Sequence, residues 1–174
     1  MNNIIERAKK IRLAIFDVDG VLTDGRLYTN DAGEEIKAFH TLDGHGLKML
    51  NATGVELAII TGRTSKSVEL RAKNLGFAHL YQGVEDKLAI FNQLISDLKL
   101  DNLATVYMGD DLVDLPCLTR AGLAISVPAA PAIVRDQSHY ITRAHGGMGA
   151  VREVCDLIMQ AQGTLEAQIK KYLV

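Results

Sequence analysis

Residues 11–25, Ile11-Arg12-Leu13-Ala14-Ile15-Phe16-Asp17-Val18-Asp19-Gly20-Val21-Leu22-Thr23-Asp24-Gly25, run from an apolar stretch directly into an acidic, glycine-containing turn. A short, nearly continuous apolar run bounded by turn residues is what a strand covered on both faces requires, as in a parallel sheet. Comparable runs occur at 55–60, 79–81, 104–108 and 123–127, and helix-length amphipathic segments are expected between them at 43–51, 66–75, 86–98 and 112–121, with a last helix at 148–162. In the third of these helices Leu88, Phe91, Ile95 and Leu98 recur at helical spacing and form its buried stripe. The alternation predicts an α/β fold with a doubly wound, Rossmann-like parallel sheet. One insertion interrupts it: Leu27-Tyr28, the turn-forming Asn30-Asp31-Ala32-Gly33 and Glu35 to Phe39 predict a β-hairpin over about 26–39.

The remaining composition narrows the class. A chain of 174 residues, 48% hydrophobic and 23% charged, has the balance of a globular protein, not a fibrous or disordered one, and its length predicts a single domain over 1–174. The formal net charge of −2 gives no global positive field, so neither a nucleic acid nor a membrane partner is expected. No apolar run approaches a membrane span, and the polar N-terminal residues up to Lys10 do not read as a signal peptide. Cys117 and Cys155 form neither a disulfide framework nor a zinc pattern, which favours a reducing, cytoplasmic location. After the last helix, residues 163–174 read as a polar tail without a strong apolar stripe.

The chemistry concentrates where strands end. In an open α/β sheet ligands bind outside the carboxyl ends of the strands, which is where Asp17 falls. While the backbone stays extended, Asp17 and Asp19 point to one side, and two such carboxylates repel unless a cation or proton is supplied. Gly109-Asp110-Asp111 follows another apolar run, with Asp114 close behind. Together Asp17, Asp19 and Asp110 can offer the hard oxygen donors that suit Mg2+. Asp111 and Asp114 read equally well as helix caps. Thr61-Gly62-Arg63 places a hydroxyl, a glycine and a guanidinium after a third run, although Thr61 alone also reads as a cap. Lys87 lies in the first turn of its helix, where the macrodipole disfavours a cation, a local violation expected at a functional site.

In this order, Asp-x-Asp-Gly-Val-x-Thr at 17–23, Thr61, Lys87 and Gly-Asp-Asp-x-x-Asp at 109–114 resemble the haloacid dehalogenase-like phosphatases over nearly the whole chain. The hairpin, Phe39-His40-Thr41-Leu42-Asp43-Gly44, Ile60-Thr61-Gly62-Arg63 and residues 146–153 are similar to its small, tetrameric subclass acting on sugar acid phosphates. The resemblance implies Asp17 as nucleophile, Asp19 as acid and then base, Thr61 and Lys87 as phosphoryl ligands, and Mg2+ held by Asp17, the Asp19 carbonyl and Asp110. It also implies that His40, Thr41, Leu42, Asp43, Gly44, Lys48, Arg63 and Arg71 line the substrate site together with Asp19 and Lys87. On the residues alone, Lys48 and Arg71 read as exposed helix charges and Asp43 as an N-cap. If residues 63–71 are one helix, Arg63, Ser67 and Arg71 share an edge.

The implied substrate is an eight-carbon 2-keto-3-deoxy sugar acid phosphate in lipopolysaccharide biosynthesis, with a nine-carbon nonulosonate 9-phosphate as the alternative. Leu42 and Met148 stand where such enzymes often carry a basic residue. A receiver-type signalling domain also uses Asp, Thr, Lys and Mg2+, but its acidic group follows the first strand and its phosphoacceptor a middle one, unlike the order here. The 44 positions from Asp17 to Thr61 and 26 from Thr61 to Lys87 leave room for a hairpin and a helix-strand unit but for no cap domain. By the resemblance a homotetramer is expected, with sites near subunit boundaries, 146–151 and the tail lying beside one, and the tail as a mobile closing element or a disordered end.

Overall fold

The computed structural model describes residues 2–173; Met1 and Val174, the two ends of the expected domain and the last residue of the expected tail, lie outside the described residues. Helix α1 (Asn2–Ala8) leads into strand β1 (Leu13–Phe16), whose four residues are all buried. The hairpin follows as β2 (Tyr28–Thr29) and β3 (Glu35–Ile36), an antiparallel pair separate from the main sheet. Then come α2 (Thr41–Asn51), β4 (Glu56–Ile60), α3 (Lys66–Leu75), β5 (His79–Tyr81), α4 (Lys87–Asp97) and β6 (Thr105–Met108). The last third contains α5 (Leu115–Leu118), β7 (Leu123–Ser126), α6 (Ala132–Asp136), β8 (Tyr140–Ile141), α7 (Ala150–Ala161) and α8 (Leu165–Lys170).

The main sheet has six parallel strands in the order β5-β4-β1-β6-β7-β8. The winding direction reverses at β1, which opens a crevice at the carboxyl ends of the central strands. Phe16 is in register with Ile59 on one side and Met108 on the other, so the residues that follow these three strands emerge along one edge. Buried hydrophobic residues from both faces of the sheet form one continuous cluster. Within it Phe16 meets Phe77, and Phe91 meets Tyr107, edge to face with ring centroids 6.3 Å apart in both pairs.

Three segments depart from the expectations. The helix expected at 112–121 is a 3-10 turn (Leu112–Asp114) followed by the four-residue α5, because Asp111 and Asp114 close a capping box and Pro116 fits only a first helical turn. Arg63 is not on the helical edge with Arg71, since α3 begins at Lys66 after an extended Ser65 whose N–H donates to Gln82 Oε1. Thr61 therefore does not cap that helix. Residues 165–170 form α8, in which Gln168 is buried, Leu165 packs on the core and Tyr172 beyond it stacks edge-on against His45. The short α1, α6 and β8 were not expected; β8 has two residues and α6 five, too few for periodicity to register.

Candidate active site

Backbone ladders carry the candidate residues one step beyond their strands. The N–H of Asp17 donates to Met108 O at 3.0 Å and that of Thr61 to Tyr81 O at 3.0 Å, so both are fixed at the sheet edge. After Asp17 the chain folds back, with the N–H groups of Val21, Leu22 and Thr23 all donating to Val18 O. Gly20 has φ +89°, and a Cβ there would lie 2.0 Å from Asp110 Oδ2, so this turn needs glycine to sit against β6's end. Gly146 approaches the same turn so closely that a Cβ would fall 1.7 Å from Gly20 O. That backbone-to-backbone contact explains the glycine at position 146.

Asp17, Asp19, Thr61, Gly62, Arg63, Lys87 and Asp110 surround one cleft of about 350 Å3. Lys87 starts α4, and its ammonium is almost fully buried, 2.7 Å from Asp114 Oδ1 and 3.1 Å from Asp17 Oδ1. Burial works against its charge, but Asp17 and Asp114 outweigh this and hold its pKa above the usual lysine value. Asp114 is saturated: Oδ1 accepts from Lys87 and from Tyr107 Oη at 2.8 Å, and Oδ2 from the N–H groups of Asp110 and Asp111 at 3.0 and 3.1 Å.

Two neighbouring carboxylates are in the opposite condition. Asp17 Oδ1 and Asp110 Oδ1 are buried with no hydrogen-bond donor among the described residues, the Lys87 contact to Asp17 being close but not aligned as a hydrogen bond. Burial first, then the Asp114 charge, pushes Asp17 up to about 6. Burial, then Asp17, Asp114 and Asp111, pushes Asp110 up to about 7. Carboxylate oxygens of Asp17, Asp110 and Asp114 lie within 4.8 Å of one another. Since Asp114 has its donors already, Asp17 and Asp110 are the pair whose vacant oxygens fit a hard cation. The Asp19 carboxylate is not in this group; it faces the hairpin, where Lys37 approaches its Oδ1 at 2.5 Å.

The other expected substrate residues do not line this cleft. His40, Asp43, Gly44 and Arg71 line a separate, smaller pocket of about 10 Å3, room for roughly one water. Arg71 Nη2 donates to His40 O at 3.3 Å, its guanidinium lies over Phe39, and its buried Nε has no partner among the described residues. Asp43 is neither its own helix's N-cap nor a cleft residue. Its carboxylate accepts the N–H of Arg152 at 2.7 Å and of Gly149 at 3.3 Å, and so caps the start of α7 from α2. Thr41, Leu42 and Lys48 are exposed on α2 and line neither cavity.

Three participants, Tyr107, Glu35 and Lys37, are not among the residues the sequence singles out for the site, whereas Asp114 reads there both as the last acid of Gly-Asp-Asp-x-x-Asp and as a cap. Tyr107 reads only as an interior residue of a strand. Glu35 and Lys37 had a usable signal: they alternate with Ile36 and so share one face of the extended segment.

A doubly wound sheet whose strand ends bring Asp17, Asp19, Thr61, Lys87 and Asp110 around one cleft defines the class, a haloacid dehalogenase-like phosphatase. No family model matches the chain. It is 47% identical over 165 residues to the 3-deoxy-D-manno-octulosonate 8-phosphate phosphatase KdsC of Yersinia pestis, covering 95% of this chain and 88% of that protein. A solved structure of the 3-deoxy-D-manno-octulosonate 8-phosphate phosphatase of Moraxella catarrhalis, in complex with magnesium ion, phosphate ion and KDO, superposes with a TM-score of 0.97 at 47% identity over 99% of both chains. The cobalt-bound form of the Haemophilus influenzae enzyme gives 0.91 at 36% identity over 97% of this chain and 99% of that one. The chain belongs to the 3-deoxy-D-manno-octulosonate 8-phosphate phosphatase family.

Proposed function

We propose that this protein is a Mg2+-dependent phosphatase that hydrolyses 3-deoxy-D-manno-octulosonate 8-phosphate to Kdo and phosphate, a step supplying lipopolysaccharide. The observation that carries the reading is the pair of buried, donor-free oxygens on Asp17 and Asp110 beside the Lys87 ammonium. Asp17, Asp110 and the Asp19 carbonyl would hold Mg2+, which when bound neutralises the carboxylates and the transferring phosphoryl group.

Asp17 is the nucleophile: its ionised carboxylate attacks phosphorus and gives an aspartyl phosphate, dividing a difficult hydrolysis into two displacements. Thr61 and Lys87 hold the phosphoryl oxygens at the sheet edge. Asp19 gives a proton to the departing sugar oxygen and then takes one from the water that attacks the aspartyl phosphate. Arg63 and Arg71 are the substrate-carboxylate candidates; Arg71 is favoured by a guanidinium that has no acidic partner among the described residues. His40 and Gly44 adjoin it. Thr41, Leu42 and Lys48, exposed on the same helix, enter the reading only where the substrate reaches over α2.

The whole chain, 1–174, is read as one domain without a cap. A homotetramer is supported by the exposed apolar side chains Leu27, Tyr28 and Ile36 on the hairpin and Leu42 at the start of α2, which a neighbouring subunit would cover. No helix among the described residues is long and apolar enough to cross a membrane, and a cytoplasmic location fits the two free cysteines. Phosphate release measured over eight- and nine-carbon sugar acid phosphates, with Mg2+ and with chelator, tests the function. Highest kcat/KM on Kdo 8-phosphate supports it; preference for a nonulosonate 9-phosphate replaces the substrate and keeps the chemistry.

A further inference from the structure

Four side chains form a closed ring of alternating charge at the mouth of the cleft. Lys37 Nζ is 2.5 Å from Asp19 Oδ1 and 2.6 Å from Glu35 Oε1. Glu35 Oε2 is 3.4 Å from Arg63 Nη1, and Arg63 Nε is 3.7 Å from Asp19 Oδ2. The ring thus joins the end of β1, the hairpin and the turn after β4. Its two halves differ in kind. Lys37 has 3% of its side chain exposed and makes two short ionic contacts, whereas Arg63 is 54% exposed and makes two long ones. An exposed, long ion pair contributes little and exchanges readily with water or another anion. Removing one member of a buried, short pair leaves a charge without a partner, so the Lys37 half stays formed.

From this asymmetry we propose that Lys37 is a positioning residue for Asp19: it pins Oδ1, with Glu35 holding Lys37 in place, and leaves Oδ2 as the oxygen that moves protons. The inference rests on the phosphatase reading above and deepens it. In the first step the proton on Asp19 Oδ2 passes to the sugar oxygen as its bond to phosphorus breaks and the bond from Asp17 to phosphorus forms. In the second, Oδ2 takes a proton from the attacking water as the Asp17–phosphorus bond breaks, which restores the acid and releases phosphate. A carboxylate free to rotate would present either oxygen to solvent and lose the alignment both transfers need. Arg63 is the ring member that leaves Asp19 and Glu35 when an anionic substrate arrives. The hairpin is thereby coupled to proton transfer, and its sequence Glu35-Ile36-Lys37 places both charged members on one face with Ile36 on the other.

The test uses the whole chain with Mg2+ and compares the wild type with Lys37→Met, which keeps an unbranched side chain as far as Cε but removes the ammonium, and with Lys37→Arg, which keeps the charge. On Kdo 8-phosphate, Lys37→Met is expected to lose roughly 10²-fold in kcat with KM changed less than about threefold, the scale of general acid-base assistance. On p-nitrophenyl phosphate the leaving phenolate needs no proton. There Lys37→Met is expected to give a rapid burst of nitrophenolate close to one per site, followed by slow turnover, because only the second step still needs the aligned base. Lys37→Arg is expected to recover most of kcat, and a burst close to one per site in Lys37→Met excludes loss of folding as the cause of its slow turnover. Wild-type kcat in Lys37→Met on Kdo 8-phosphate, or a burst slowed as much as the steady state, overturns the role of Lys37 while leaving the phosphatase reading intact. No phosphate release by the wild type overturns that reading itself.

Discussion

Lys87 Nζ and Asp114 Oδ1 are 2.7 Å apart at the floor of the cleft, Asp114 fully buried and Lys87 nearly so, and Tyr107 donates to the same oxygen. Asp114 thus balances one charged and one neutral donor on a single atom. Tyr107→Phe removes the neutral donor and keeps the ring that packs on Phe91, so it is expected to cost about 1.5–3 kcal/mol in denaturant unfolding, the range for a buried hydrogen bond to a charged group. Lys87 should then be drawn towards Asp114, and inhibition by inorganic phosphate should weaken. Unchanged stability and unchanged phosphate inhibition would remove Tyr107 from the network.

Asp17 and Asp110 have carboxyl pKa values pushed up to about 6 and about 7. Between the ordinary value near 4 and these values the folded state binds more protons than the unfolded one, so their contribution to stability falls as pH rises through about 4 to 7. His139, whose pKa burial lowers, acts in the opposite sense, so the comparison is made against Asp110→Asn. In chelator at pH 8, Asp110→Asn is expected to melt above the wild type, with the difference disappearing near pH 4. Mg2+ should raise the wild-type Tm at pH 8 and leave that of Asp110→Asn nearly unchanged. Equal responses of both proteins to Mg2+ would place the ion elsewhere.

Asp43 holds α7 through the N–H groups of Gly149 and Arg152. Asp43→Ala is expected to destabilise the fold by about 1–2 kcal/mol, as for loss of a helix cap, with activity on p-nitrophenyl phosphate changed less than about threefold. Unfolding and kinetics on the same preparation check this. A specific rise in KM for Kdo 8-phosphate at unchanged stability would return Asp43 to the substrate site.

Arg71→Ala is expected to lower kcat/KM for Kdo 8-phosphate by at least about tenfold while sparing a small aryl phosphate, because the lost contact is to the remote part of the substrate. Lys87→Ala should impair both. Equal losses on the two substrates in Arg71→Ala would make Arg71 a structural residue.

The sheet was legible because buried parallel strands are written as apolar runs, and the site because its residues follow those runs: Asp17, Thr61 and Asp110 each stand one or two positions past a strand. Lys87 was legible as a cation in the wrong part of a helix. Asp43 was not, since a carboxylate in a first turn looks the same whether it serves its own helix or, as here, one more than a hundred residues away. Lys37 was missed because a lysine in a polar hairpin reads as solvated, and only the fold of β3 against the end of β1 buries it. The tail escaped because Leu165, Ile169 and Leu173, four apart, were too few to outweigh the polar residues between them.

The most direct measurement is phosphate release from Kdo 8-phosphate by homogeneous wild type and Asp17→Asn, each with Mg2+ and with chelator. Turnover is expected from the wild type in Mg2+ alone, and only background release from Asp17→Asn in either condition, because an amide neither attacks phosphorus nor holds the cation well. Normal, metal-dependent turnover by Asp17→Asn would contradict it.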